Sequence, residues 1–210
     1  MRASFLFTGI FATFAFAWYA QTILPQSQLG NLQPQVDEES GDIYPINNQG
    51  IVAQGRKVYV SNGCMYCHTQ QVRADDGGSD IERGWGKRRT VARDYIFDDP
   101  VVLGVTRNGP DLANEGLRQI DGKPVPAAWY FGHLYNPRSK SEDSIMPAFR
   151  HLFVKRKISG EPSVDALKGV DSGGDYEIVP TSEAKALVAY LMSLDRSHPL
   201  KEVKQEAAVK

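Results

Sequence analysis

The side chains best placed to do chemistry together are Cys64, Cys67 and His68, in the run Cys64-Met65-Tyr66-Cys67-His68. Both cysteines of the chain and one of its four histidines fall inside these five positions. The run is the C-x-x-C-H pattern of covalent c-type haem attachment. Two thiols three residues apart on a helical turn can reach the two vinyl groups of one porphyrin edge. The adjoining imidazole can then turn back over the ring and supply its nitrogen to the iron. A zinc site would need four nitrogen or sulfur ligands, and the chain offers three at cramped spacing, with no second cysteine pair. A thioredoxin-like dithiol needs a βαβ setting, and no strand pattern precedes Cys64. A lone disulfide would leave His68 without a role.

An iron held by His68 on one side needs a ligand on the other. Of the four methionines, Met1 is terminal, Met65 lies inside the motif and Met192 lies in the last helical stretch. Met146, in Ser144-Ile145-Met146-Pro147, sits in a loop far enough along the chain to wrap to the opposite face. A thioether there raises the reduction potential relative to a second histidine. His133, His151 and His198 are the rival ligands. Gly109-Pro110-Asp111-Leu112 is a turn signal, and the Pro110 carbonyl can accept a hydrogen bond from the unligated nitrogen of His68 and so fix the ring.

These residues need elements to carry them. The chain has 210 residues, 41% of them hydrophobic, and 24 Lys+Arg against 25 Asp+Glu. A net charge of −1 lacks the basic excess of a nucleic-acid binder, and 10% aromatics with 23% charged residues is too core-forming for a disordered chain. Residues 3–24 carry no charge and show no polar face, enough for about 33 Å of helix against a hydrocarbon core of about 30 Å. Arg2 precedes this run and no charged residue follows it until Asp37, so the positive-inside bias keeps the N-terminus cytoplasmic and exports the rest. The alternative is a cleaved leader ending at Ala15-Phe16-Ala17. Residues 25–47 read as a stalk, 48–195 as the haem domain and 196–210 as a polar tail. Within the domain, helical spacing predicts a first helix from Asn48 to Gly63 through Gly55 and Tyr59. A short helix follows Pro126, and a last helix capped by Thr181 carries Leu187, Tyr190, Leu191 and Leu194 on one stripe. No alternating strand pattern of useful length appears, so the expected fold class is all-α, helices and long loops.

Several of these runs resemble one family. They are Gly55-Arg56-x-x-Tyr59; Gly63-Cys64-x-x-Cys67-His68-x-Gln70-x-Val72-Arg73; Gly109-Pro110-Asp111-Leu112-Ala113; Trp129-x-x-x-His133-Leu134-x-Asn136-Pro137-Arg138; and Ser144-Ile145-Met146-Pro147. With the N-terminal apolar run they resemble the membrane-anchored monohaem subunit of cbb(3)-type cytochrome c oxidases over nearly the whole chain. The resemblance implies a cytochrome c fold whose first and last helices cross, with Gly55 against Tyr190. It also implies one haem c and a place in the bacterial cytoplasmic membrane with the haem domain outside. The subunit would take electrons from a soluble cytochrome c or a dihaem sister subunit and pass them to the haem-copper catalytic subunit. It makes Arg73 the candidate for a haem propionate. Residues 74–99 and the loop 155–179 depart from the family pattern.

Arg83, Lys87, Arg88, Arg89 and Arg93 place five bases within eleven residues beside Trp85. They read either as a solvated loop or as partners of propionates or of a neighbouring subunit. His133 is expected to pack or hydrogen-bond near the haem. Asp171–Asp175 lacks the ligand series of an EF-hand, and no phosphate-binding glycine motif, nucleophile elbow or zinc helix is present. With two axial ligands the haem can only exchange electrons, so the chain reads as a non-catalytic electron-transfer protein. A freely diffusing exported cytochrome c and a haem enzyme with an open iron face are the alternatives.

Overall fold

The structure, a computed structural model, describes residues 3–37 and 41–203. Arg2, on which the membrane orientation rests, lies outside the described residues, as do 38–40 of the stalk and 204–210 of the tail. The chain forms two compact units, residues 3–46 with 91–96, and residues 47–90 with 97–203.

The first unit begins with a helical rod, α1 (Ala3–Trp18), a π-helical stretch (Tyr19–Ile23) and α2 (Leu24–Leu29). These give 27 unbroken helical residues, about 40 Å at 1.5 Å each, long and apolar enough to cross a membrane. The rod outlasts the apolar run by five residues. Pro25 has no N–H and its ring would press on the carbonyl one turn back. The backbone widens just before it, with the Leu24 N–H donating to Tyr19 O, five residues earlier. The proline is thus absorbed without ending the helix. The stalk is not wholly irregular: β1 (Gln35–Val36) pairs antiparallel with β2 (Ile43–Tyr44). Tyr44 is buried and its hydroxyl donates to Asp94 Oδ1 at 2.7 Å, in the turn Ala92–Tyr95. Arg93 donates to Gln33 O.

The second unit is built on α3 (Ile51–Ser61) and α5 (Ser182–Ser193), which pack against each other. Gly55 lets them meet: a Cβ there would land on the Ala186 carbonyl and on Tyr190 Cβ. The rings of Tyr59 and Tyr190 then pack 5.5 Å apart at 59°. Thr181 caps α5, its Oγ1 accepting from the Ala184 N–H at 3.2 Å. Gly50 at φ 62 precedes α3, two residues beyond the expected Asn48. α4 (Ala127–Tyr135) completes the core with Tyr130 and Leu134, beside Leu152, Leu187 and Leu191. Beyond α5 the chain stays attached, because Leu200 and Val203 are buried and the Arg196 N–H donates to Asn114 Oδ1 at 2.8 Å.

The all-α expectation is wrong. Besides β1–β2, β3 (Gln119–Ile120) and β4 (Lys123–Pro124) form a hairpin turned by Asp121 and Gly122, both at positive φ, the Asp-Gly chemistry of a type I′ turn. β5 (Phe153–Lys157) and β6 (Tyr176–Pro180) pair antiparallel over five residues in register, Phe153 opposite Pro180 and Lys157 opposite Tyr176. Neither β5 nor β6 shows the alternation expected of a strand. Only Phe153 of β5 is buried, whereas four consecutive residues of β6 are. The two strands find each other across eighteen intervening residues. Buried Glu177 is satisfied by Arg156 from the opposite strand at 2.7 Å and by the Ser163 N–H at 2.7 Å.

Candidate haem site

Gly63, in the left-handed region at φ 70, ends α3 and turns the chain into the 3₁₀ turn Cys64–Tyr66. The Cys64 carbonyl accepts from both Cys67 N–H (3.2 Å) and His68 N–H (3.0 Å), so one acceptor winds the whole motif. Both cysteines are free; Cys64 is half-buried and Cys67 exposed. Burial pushes the Cys64 thiol up to about 11, the opposite of the acidified thiol a dithiol redox pair uses.

Residues 103–112 run alongside and tie down almost every carbonyl of the motif. Val105 N–H donates to Met65 O (2.9 Å), Thr106 Oγ1 to Tyr66 O (2.5 Å), Gly109 N–H to Cys67 O (2.9 Å) and Leu112 N–H to Thr69 O (2.8 Å). In return Gln70 N–H donates to Leu103 O (2.9 Å). The approach is so close that a Cβ at Gly109 would enter the His68 ring and one at Gly104, φ +88, would strike the His68 carbonyl. His68 Nδ1 lies 2.8 Å from Pro110 O. A carbonyl only accepts, so Nδ1 carries the proton and Nε2 presents its lone pair. Burial lowers the imidazole's pKa, and the Pro110 bond opposes that shift without cancelling it. The ring is therefore held neutral and in the tautomer a metal ligand requires.

Asp111 locks this loop. Its Oδ2 accepts from Thr69 Oγ1 (2.5 Å) and Gln71 N–H (2.8 Å), and its Oδ1 from Ala113 N–H (2.8 Å). Beside it, fully buried Asp80 accepts from Arg73 Nη2 (3.0 Å), Arg73 N–H (2.8 Å) and Arg107 Nη1 (2.5 Å). Burial alone would raise the Asp80 carboxyl, but these donors outweigh it and hold it at about 2. Arg107 also reaches Gln71 O (2.6 Å) and lies over Trp85 (5.3 Å), with Arg83 5.0 Å from the same ring. Arg73 is thus placed on Asp80 through Nε and Nη2. From the basic run, Arg88 is 1% exposed and donates to His198 O at 2.8 Å, an interior strut rather than a solvated charge. Gln70, also buried, accepts from Tyr190 Oη at 3.0 Å, joining the motif to α5.

Met146 lies on the loop after α4, half-buried against the core cluster with Trp129, Phe131 and Phe149. Its N–H reaches Ser144 Oγ at 3.3 Å. His133 stacks on Trp129 (4.9 Å, 11°), whose ring also lies 4.8 Å from the Arg118 guanidinium. Its buried Nδ1 has no partner among the described residues. Burial, then the charge of Arg118, push its pKa down to about 4. His151 Nε2 is engaged by Asn62 Oδ1 at 2.7 Å.

A neutral imidazole with its lone pair free, two free thiols on the same turn and a half-buried thioether packed against the core make a donor set that fits a haem. Half-buried apolar side chains that, like Cys64, pack against the core cluster (Val58, Met65, Trp129, Phe131) suit the porphyrin plane. Among the described residues no group of three or more His, Cys, Asp or Glu converges as a bare-metal site. Motif reading missed Asp80, Arg107 and the locking role of Asp111. Asp111 alone had a local signal, the Asp-x-Ala turn in which its side chain bonds an amide two residues on.

A search of curated proteins found no match to the chain. The family model described as the mono-haem subunit of cytochrome c oxidase, FixO, matches residues 23–168, well over half of the sequence. A mono-haem subunit implies a haem, and the candidate membrane helix Ala3–Leu29 is compatible with anchoring. The chain belongs to the FixO family of mono-haem cytochrome c oxidase subunits.

Proposed function

We propose that the chain is the membrane-anchored electron relay of a cbb(3)-type oxidase. It would receive electrons from a soluble cytochrome c or a dihaem sister subunit and hand them to the haem-copper catalytic subunit. The observation that carries the site is the 2.8 Å bond between His68 Nδ1 and Pro110 O, which prepares Nε2 for iron. Cys64 and Cys67 would bind the haem as thioethers, His68 and Met146 would be its axial ligands, and Arg73 would keep its Nη1 for a propionate. When bound, the haem supplies a reversible one-electron change and no open coordination position.

The residues of the chain set the conditions for that change. His68 is held neutral and fixed in orientation by Pro110, Gly109 and the Asp111 lock, so the metal bond needs no rearrangement of the ring. Met146 offers a soft, uncharged donor, which favours the reduced metal and raises the potential. The half-buried apolar neighbours would line the porphyrin. Residues 3–29 hold the domain at the outer face of the bacterial cytoplasmic membrane, with the N-terminus inside.

The test is to purify the protein from membranes and identify what accompanies it. Co-migration with a polytopic subunit and oxygen consumption supports the relay, whereas a soluble monomer would support a free exported cytochrome c. Met146→Ala should abolish the spectrum of a methionine-ligated haem and let carbon monoxide bind the reduced protein. Wild-type protein that already binds carbon monoxide would favour a haem enzyme with an open iron face.

A further inference from the structure

We propose that His151 and Asn62 form a latch that holds the methionine loop against the haem-bearing turn; the inference rests on Met146 and His68 being the axial ligands. Asn62 caps the C-terminal end of α3, two residues before Cys64. Its Nδ2 donates to Val58 O at 2.9 Å, which fixes the amide so that Oδ1 faces His151 Nε2 at 2.7 Å. An amide oxygen only accepts, so the proton sits on His151 Nε2. That nitrogen is committed to Asn62, so His151 acts as a tether.

Its position makes the tether matter. His151 follows Met146 by five residues, in the turn Arg150–Leu152. One end of this segment is pinned: Leu152 O accepts from Thr181 N–H (3.0 Å) and Thr181 Oγ1 (2.9 Å), and Phe149 N–H donates to Leu134 O (2.8 Å). Between Ser141 and Ala148 the hydrogen bonds among the described residues are local, Ser141 N–H to Pro137 O, Ser144 N–H to Ser141 O and Met146 N–H to Ser144 Oγ. Ile145, next to the ligand, is 75% exposed. Among the described residues, His151–Asn62 is the one hydrogen bond joining the segment 141–151 to the peptide that leads into Cys64. A loop with so few ties can swing outward and take the sulfur with it. The latch sets where the pinned end of that loop stands relative to the turn leading into Cys64, which makes His151 and Asn62 positioning residues for Met146.

The experiment uses haem-loaded, membrane-purified protein and compares His151→Ala, Asn62→Ala, the double variant and His151→Gln, whose amide N–H can replace the imidazole donor. The readouts are the weak far-red charge-transfer band of thioether-ligated ferric haem during a denaturant titration, and carbon monoxide binding by the reduced form. Each Ala variant should raise the methionine-dissociated fraction roughly two- to tenfold, the reach of a single hydrogen bond. The double variant should be no worse than the singles, and His151→Gln should restore most of the wild-type behaviour. If His151→Ala leaves both readouts unchanged in a protein whose band Met146→Ala abolishes, the latch is wrong and the ligand assignment stands. If Ala loosens the loop and Gln does not restore it, packing of the His151 ring on Phe149, 5.9 Å between centroids, does the work and the latch is again wrong. Wild-type protein with no thioether band would overturn latch and ligand assignment together.

Discussion

The two sides of the candidate site are built on opposite plans. Around His68, residues 103–112 bond to the carbonyls of Met65, Tyr66, Cys67 and Thr69, two glycines admit the close approach, and one buried carboxylate gathers three donors. Around Met146, the loop touches the core through half-buried apolar groups and bonds mainly within itself. The first side is over-determined and should fail as a whole. The second is lightly held, and single changes there should move ligand exchange and potential while leaving the fold intact. The difference separates what must stay fixed, the histidine's tautomer and direction, from what can be tuned, the strength of the sulfur contact.

Gly109→Val should break the rigid side most severely. Its Cβ would occupy the His68 ring position, so haem incorporation should fall at least tenfold, read as haem absorbance per chain after expression. Asp111→Ala comes next, leaving Thr69 Oγ1, Gln71 N–H and Ala113 N–H without their acceptor. A loss of roughly 3 kcal/mol in denaturant unfolding is expected from stranded buried donors.

Asp80 gives a pH signature on the same side. Its carboxyl sits at about 2 in the fold against about 4 unfolded, so it contributes roughly 2 kcal/mol of stability. That contribution is complete above pH 4 and is lost as pH falls through 2. Unfolding temperature measured down this range should drop in the wild type, and Asp80→Asn should start lower at neutral pH and lose that share of the slope. Ser144→Ala, on the loose side, removes a long 3.3 Å bond and should cost less than about 0.5 kcal/mol, the usual size for such sites. A loss of several kcal/mol there would erase the contrast.

What could be read from the chain alone follows how local each signal is. Cys64-x-x-Cys67-His68, the Thr181 cap and the α5 stripe are contiguous runs, each carrying its own physical reason. The crossing of α3 and α5 at Gly55 and Tyr190 was expected only through the family resemblance. The strands were hidden for a specific cause. Lys155, Arg156 and Lys157 of β5 spoil any alternation, and the strand is defined by a partner beginning at Tyr176. Asp121-Gly122 is a hairpin signal legible in the chain, but its flanking strands are only two residues each and carry no alternation of their own. The Asp80–Arg107 pair spans 27 positions and leaves no trace in composition or spacing. The five-base run contained one residue, Arg88, that the fold consumes internally, which no count of charges could reveal.

Gly104 and Gly109 have a consequence for anyone diversifying this protein. In a library randomised across 101–113 and selected for coloured product, these two codons should return unmixed, because there the backbone itself is the contact surface. Val101 and Val105, at 50% and 63% exposure, should accept a wide alphabet, so the survivors would trace, letter by letter, where one strand of the polypeptide passes beneath the imidazole.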